Sequence, residues 1–250
     1  MSQNTDRSFL SRSMQELLGS DTVELSMERM QELNKLMSYY RCAMTSVVTK
    51  FNVLNEQFSL QYDRNPITGI KSRLKTLPSI MDKLERRGCP LSLESIEDNL
   101  NDVAGVRVIC SFEEDVHMLS EALMQQDDIQ LLERKDYIRN PKPNGYRSLH
   151  LIVSVPIFLA HEKKFMRVEI QLRTLAMDFW ATLEHQLRYK KDFDLADSVQ
   201  RELYTCASLS AELDQRMDGL RQLVQEQNSR ENGKQAPEVI RWTDQSHNLR

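Results

Sequence analysis

Residues 140–174 read NPKPNGYRSLH (140–150), LIVSVPIFL (151–159) and, after AHEKK (160–164), FMRVEIQLRT (165–174). The pattern alternates with period two, the mark of β-strands, and the charged break between the apolar runs suits a hairpin. In the first segment Tyr146, Ser148 and His150 share one face, with Arg147, Leu149, Leu151 and Val153 on the other. In the second, Met166, Val168, Ile170 and Leu172 form an apolar face opposite Arg167, Glu169, Gln171 and Arg173. A merely solvated face would carry unrelated polar residues. This one gathers Glu, Gln, two Arg, His and Tyr at positions roughly 6–7 Å apart along a strand. Side chains that close can surround one small ligand.

Upstream of the hairpin lies the most basic window of the chain, IKSRLKTLPSIMDKLERRG (70–88). An extended piece over Ile70–Lys75 leads to a helix that starts at Pro78 and stops at Gly88. Arg73, Lys75, Lys83, Arg86 and Arg87 could be a solvated face or could converge on phosphates through charge-assisted hydrogen bonds. The residues alone leave both readings open. A buried strand follows in NDVAGVRVICSF (101–112), with Val106, Val108, Cys110 and Phe112 alternating with Arg107, Ile109 and Ser111. Asp102 before it could be a turn residue or a metal ligand. Asp102 and Arg107 are an odd number apart, so they reach one site only if Asp102 lies in the turn or the segment is bulged.

These motifs resemble a known family. PKPNGYRSLH with VEIQLRT is similar to the synthetase domain of the RelA/SpoT-type alarmone enzymes, and at this length most resembles the stand-alone small alarmone synthetases of bacteria. The resemblance covers roughly residues 66–190. It implies an α+β fold, a mixed sheet of about five strands that is nucleotidyltransferase-like, surrounded by helices with long ones at both ends. It further implies that ATP donates its β,γ-pyrophosphate to the ribose 3′-oxygen of GTP or GDP, releasing AMP and giving (p)ppGpp. Arg73, Lys75, Ser79, Lys83 and Arg86 fit the family's ATP-binding pattern R-x-K-x-x-x-S-x-x-x-K-x-x-R. Arg73 and Arg107 would then sandwich adenine, and Lys75, Ser79, Lys83 and Arg86 would hold phosphates. Asp102 and Glu169 would bind Mg²⁺, with Glu169 also the candidate base. Tyr146 would stack on guanine, and Lys142, Asn144, His150, Gln171 and Arg173 would surround the acceptor. Glu133 stands where many long members carry Arg, so the choice between GDP and GTP does not carry over. Gly69 stands where some small synthetases have an aromatic beside an allosteric alarmone site, so that regulation does not carry over either.

Composition bounds the rest. At 250 residues, 40% hydrophobic, the chain is long enough for a core with helical additions. A net charge of −4 gives no general reason to bind nucleic acid, although single-stranded RNA is not excluded. Four dispersed cysteines without a C-x-x-C pair argue for a reducing compartment, and no apolar run approaches a membrane span. With no signal-peptide core at the N-terminus, the expected location is cytoplasmic. No Gly-rich phosphate loop, no G-x-S-x-G and no His followed by Asp occurs, so serine hydrolysis and alarmone hydrolysis are both unexpected.

The organisation read from the sequence is an N-terminal helical region (1–65), a synthetase domain (66–190), a C-terminal helix (191–228) and a mobile tail (229–250). The first region includes a possible short helix at Ser8–Leu18. From Val23 to Tyr62 neither Gly nor Pro interrupts a stripe of Leu33, Leu36/Met37, Tyr40, Met44, Val47/Val48, Phe51, Leu54 and Phe58. NPITG (65–69) signals the turn that ends it. Glu113–Gln126 reads as a helix and Ile129–Ile138 as a strand. Leu175–Lys190 reads as a helix whose core stripe is Leu175, Phe179, Leu183 and Leu187, with Trp180 and His185 as packing residues. Leu195, Val199, Leu203, Cys206, Leu209, Leu213, Met217, Leu220 and Val224 keep near-heptad spacing suited to self-association, and the resemblance suggests a homotetramer. Two other readings stand beside the enzyme: a catalytically weak guanine-nucleotide or RNA-binding module on the same scaffold, and a helical oligomer scaffold.

Overall fold

The computed structural model describes residues 23–62, 64–189 and 196–232. The expected helix at 8–18 and the tail from 233 onward lie outside them. In chain order the elements are α1 (Val23–Tyr62), β1 (Ile67–Leu74), α2 (Leu77–Arg86), α3 (Leu93–Asn99), β2 (Ala104–Cys110), α4 (Glu113–Met124), β3 (Gln130–Asp136), β4 (Leu149–Phe158), β5 (Lys163–Thr174), α5 (Leu175–Tyr189) and α6 (Asp197–Asn232).

The five strands form one mixed sheet in the order β1-β2-β5-β4-β3, antiparallel except for the β2–β5 pair. Strand alternation gives the sheet two unlike faces. Val106, Val108, Met166, Val168, Ile170, Leu172, Leu151 and Val153 are buried on one. They share a single apolar core with α1, whose Leu33, Leu36, Tyr40, Val47, Phe51, Leu54 and Phe58 are all buried. The period of that stripe decides which side of a 40-residue helix turns inward. The opposite face carries Arg107, Glu169, Gln171, Arg173 and His150, and α5 with α6 closes one side of it.

Several elements differ from the sequence reading. β1 begins at Ile67, inside the expected turn, because Ile67 and Gly69 pair with Cys110 and Ile109 through a local irregularity. The hairpin strand β4 begins at Leu149, so Tyr146 and Ser148 precede it instead of lying within it. The stripe expected to be the core of α5 faces outward: Leu175, Phe179, Leu183 and Leu187 are exposed, and Met177, Asp178, Trp180 and Ala181 are buried. The cause is the junction. α5 starts on the residue after β5, so the strand's exit sets which side of the helix meets the sheet. The helix α6 continues four residues past the expected end at 228, to Asn232.

Candidate functional site

On the polar face a cleft of about 510 Å³ is lined by Arg73, Asp102, Gly105, Arg107, Tyr146, Glu169, Gln171 and Arg173, with Thr182, Glu184 and His185 from α5. That volume falls within the roughly 300–1,000 Å³ of small-molecule sites. Register explains the convergence. Lys71 of β1 pairs with Arg107, Arg107 with Gln171, Gln171 with His150, and His150 with Lys135, a row running straight across the sheet. One step along, Arg73 pairs with Gly105 and Gly105 with Glu169. Without a side chain at Gly105, nothing stands between Arg73 and Glu169 in that row.

Asp102 sits in the loop before β2, and this settles the parity question: it enters the cleft from the turn, not from the strand. Its Oδ2 accepts from Lys75 Nζ at 2.8 Å and lies 2.7 Å from Lys83 Nζ. Burial favours the protonated carboxyl, but the bonds and charges of the two lysines outweigh it and hold Asp102 below the ordinary aspartate range. Its Oδ1 is buried and has no partner among the described residues.

Glu169 stands between two nitrogen groups. Gln171 Nε2 donates to its Oε2 at 3.0 Å, and His150 Nδ1 lies 3.6 Å from its Oε1. Here too burial is the largest influence and favours protonation; His150 and Gln171 overcome it, against the charge of Asp102, and hold the carboxyl low. Both carboxylates are therefore ionised near neutral pH. Two ionised carboxylates, one with an unused oxygen, fit a small hard cation such as Mg²⁺, which takes one or two protein carboxylates and completes its shell with water and phosphate. No group of three or more His, Cys, Asp or Glu is placed to hold a metal among the described residues.

The residues expected around the acceptor form one network. Tyr146 Oη is 2.8 Å from His150 Nε2 and accepts from Arg173 Nη2 at 2.5 Å. Lys142 Nζ sits 4.9 Å above the Tyr146 ring and 4.7 Å above that of Tyr137. Asn144 accepts from the Tyr146 amide and donates to Glu184. Arg173 is only 3% exposed; its Nη1 and Nη2 donate to Asp178, Tyr146 and Gln171, and its Nε is buried without a partner among the described residues. It organises the site more than it faces it.

Seven expected residues do not themselves line the cleft: Lys75 and Lys83 meet its Asp102, Lys142, Asn144 and His150 contact its Tyr146, and Ser79 and Arg86 do neither. Ser79 is exposed in the first turn of α2 with its hydroxyl 2.9 Å from that of Thr76, and Arg86 is exposed and paired with Asp82 at 2.7 Å. Neither lines the cleft. Nor does Arg87, which donates to the Asn99 carbonyl. Of the basic window, Arg73, Lys75 and Lys83 converge. His185, read as a packing residue, is exposed and lines the cleft, whereas Trp180 packs as expected.

Sequence reading named neither Thr182 nor Glu184 of the lining, nor Asp178, which ties the site's cations together. Buried in the first turn of α5, it contacts Lys71 at 3.0 Å, Arg107 at 3.2 Å and Arg173 at 3.3 Å. Its sequence signal was slight, a single Asp near a helix start where acids are common. Burial and the neighbouring Arg173 push the Arg107 guanidinium down, against Asp178. Burial is the larger of the two, so the direction reflects first the loss of water around the guanidinium and only then its cationic neighbour.

Fold and cleft together define an α+β, nucleotidyltransferase-like protein with ionised carboxylates set among cations on one sheet face. Residues 72–194 match the family model described as the region found in RelA / SpoT proteins. GTP pyrophosphokinase YwaC of Bacillus subtilis is 39% identical over 209 residues, covering 81% of this chain and 100% of that protein. GTP pyrophosphokinase YjbM of the same organism is 36% identical over 187 residues, 75% of this chain and 87% of that one. Among solved structures, small alarmone synthetase 2 from B. subtilis superposes with a TM-score of 0.70 at 39% identity, covering 76% of this chain and 98% of that chain. Small alarmone synthetase 1 bound to its product pppGpp gives 0.72 at 34% identity, covering 78% and 99%. The chain belongs to the family of small alarmone synthetases that carry the RelA/SpoT region.

Proposed function

We propose that the protein transfers the β,γ-pyrophosphate of ATP to the ribose 3′-oxygen of GTP or GDP, giving pppGpp or ppGpp and AMP. The observation that carries this reading is the place of Glu169. It stands one strand from the Arg73–Gly105 pair on one side, and beside His150 and Gln171 on the other. Arg73 and Arg107, on neighbouring strands, take the adenine between their guanidinium planes. Lys75 and Lys83, already aimed at Asp102, neutralise the ATP phosphates. Tyr146 offers its ring to guanine, with His150 and Gln171 along the ribose.

In the reaction the 3′-oxygen forms a bond to the β-phosphorus while the bond from that phosphorus to the α-phosphate bridging oxygen breaks. The electron pair leaves with AMP. The 3′-hydroxyl proton passes to Glu169, whose low proton affinity keeps it available as a base at neutral pH. Mg²⁺ held by Asp102 and Glu169 would supply charge neutralisation on the transferring group. With no His followed by Asp in the sequence, the activity is synthesis without hydrolysis.

Second copies of the chain cover the outward stripes of α5 and α6, where Phe179, Leu183, Leu209, Leu213 and Met217 are exposed, and the assembly is a homotetramer working in the cytoplasm. No helix among the described residues is long and apolar enough to cross a membrane.

The test is incubation with Mg²⁺, γ-labelled ATP and GTP or GDP in turn, with products separated by chromatography. Label on a guanine nucleotide, lost in Glu169→Gln while nucleotide binding persists, supports the reading. Binding of either nucleotide without transfer favours the guanine-nucleotide or RNA-binding module instead.

A further inference from the structure

The turn that carries Tyr146 is held from the C-terminal helix. Lys142 and Tyr146 close it: Gly145 N donates to Lys142 O at 2.8 Å, and Lys142 N donates to Tyr146 O at 3.1 Å. Gly145 has φ +87°, and a Cβ built on it would stand 2.5 Å from Cβ of Ala207 and 3.5 Å from Cδ2 of Tyr204. Only glycine allows both the backbone conformation and this approach. Tyr146 itself packs on Trp180, Ala181 and Ala207.

Around that contact α6 is fixed by polar anchors on the same side. Trp180 Nε1 donates to Leu203 O at 2.9 Å, Ser210 Oγ to Ala176 O at 2.9 Å and Thr174 Oγ1 to Asp214 Oδ2 at 2.6 Å. Residues 203, 207, 210 and 214 are spaced by four, three and four, one face of a helix. Ala207 is 6% exposed, and a bulkier residue there would meet the Gly145 backbone. It lies outside the family-matched residues 72–194.

We propose that α6 is a positioning element of the acceptor pocket, and that Ala207 sets the depth of the 142–146 turn and so the presentation of Tyr146 and Lys142 to the acceptor's base. This rests on the reading above, in which Tyr146 serves the guanine nucleotide. On the donor side Arg73, Lys75 and Lys83 are carried by β1, α2 and the segment between them and Arg107 is bonded to Asp178 of α5, with no hydrogen bond from any of the four to α6 among the described residues.

The experiment is a double-mutant cycle on the intact chain, read as KM for GTP and KM for ATP and, without turnover, as Kd for GDP. Gly145→Ala raises KM for GTP and Kd for GDP about tenfold, as expected for a displaced binding group, and leaves KM for ATP within about twofold. Ala207→Gly in that background removes the opposing atom and recovers about threefold or more of the loss, a coupling that independent sites do not show. Ala207→Val repeats the acceptor-specific defect from the other side. If Ala207→Val fails to fold, the Gly145→Ala/Ala207→Gly pair still decides, because neither change adds bulk to α6. Additive effects, or equal rises in both KM values, overturn the proposal while leaving transfer by the wild type standing. A wild type that makes no product and binds no GDP overturns both.

Discussion

Lys83 of α2 reaches across to Asp102 and meets its Oδ2 at 2.7 Å, leaving Oδ1 of the same carboxylate buried and without a partner among the described residues. The aspartate thereby holds Lys75 and Lys83 together on one oxygen. Asp102→Asn keeps the shape, removes the charge and leaves both lysines without a counter-ion. It lowers kcat by about 10²–10³-fold, the size seen when a group stabilising transition-state charge is lost. Added Mg²⁺ does not restore the rate. A steady-state Mg²⁺ titration of the variant checks this.

Asp178 predicts a stability effect as well as a catalytic one. Its removal leaves Arg173, 3% exposed, and Arg107 without their shared carboxylate. Breaking such a buried pair costs about 3 kcal/mol, which for a chain of this size lowers Tm by roughly 10 °C. Asp178→Ala should show that shift in calorimetry, with Asp178→Asn intermediate, since its amide still offers an acceptor.

The two cleft carboxylates fix the sign of the acid response. Asp102 and Glu169 are both held below their ordinary values when folded. Groups shifted in that direction contribute stability above their unfolded values, near pH 4, and lose it as pH falls through the folded ones. The double variant Asp102→Asn/Glu169→Gln therefore has a flatter stability curve below about pH 4 than the wild type. Urea midpoints measured from pH 7 to pH 3 test it; parallel curves would contradict it.

The outward stripes predict an association defect. Leu213 of α6 is 54% exposed and Phe179 of α5 is 67% exposed. A glutamate at either site desolvates badly in any covered apolar interface. Leu213→Glu and Phe179→Glu lower the mass measured by light scattering at micromolar concentration, with helical content unchanged by circular dichroism.

Much of this was legible in the sequence wherever one periodicity controlled the outcome. Period two in residues 165–174 placed Glu169 and Gln171 on one face, and the 3.6-residue period of 33–58 assigned the buried side of α1. Legibility ended where a second element chose the orientation. Leu175, Phe179, Leu183 and Leu187 make a sound amphipathic stripe, but the exit of β5 turns it to solvent. Five cations between 73 and 87 look alike in sequence. Of the five, Arg73 lines the cleft and Lys75 and Lys83 meet its Asp102, while Asp82 and the Asn99 carbonyl take Arg86 and Arg87. Asp178 was invisible because its three partners come from β1, β2 and β5, and no local pattern brings those strands together.

The central claim is intact transfer of a pyrophosphoryl group to guanosine. It is tested most directly by supplying ATP labelled at the β-phosphate together with GTP and Mg²⁺, and following the label. The expected result is β-label on a guanine nucleotide more phosphorylated than GTP, with one AMP formed per label transferred. Label remaining in ADP, or AMP formed without label on guanosine, would contradict it.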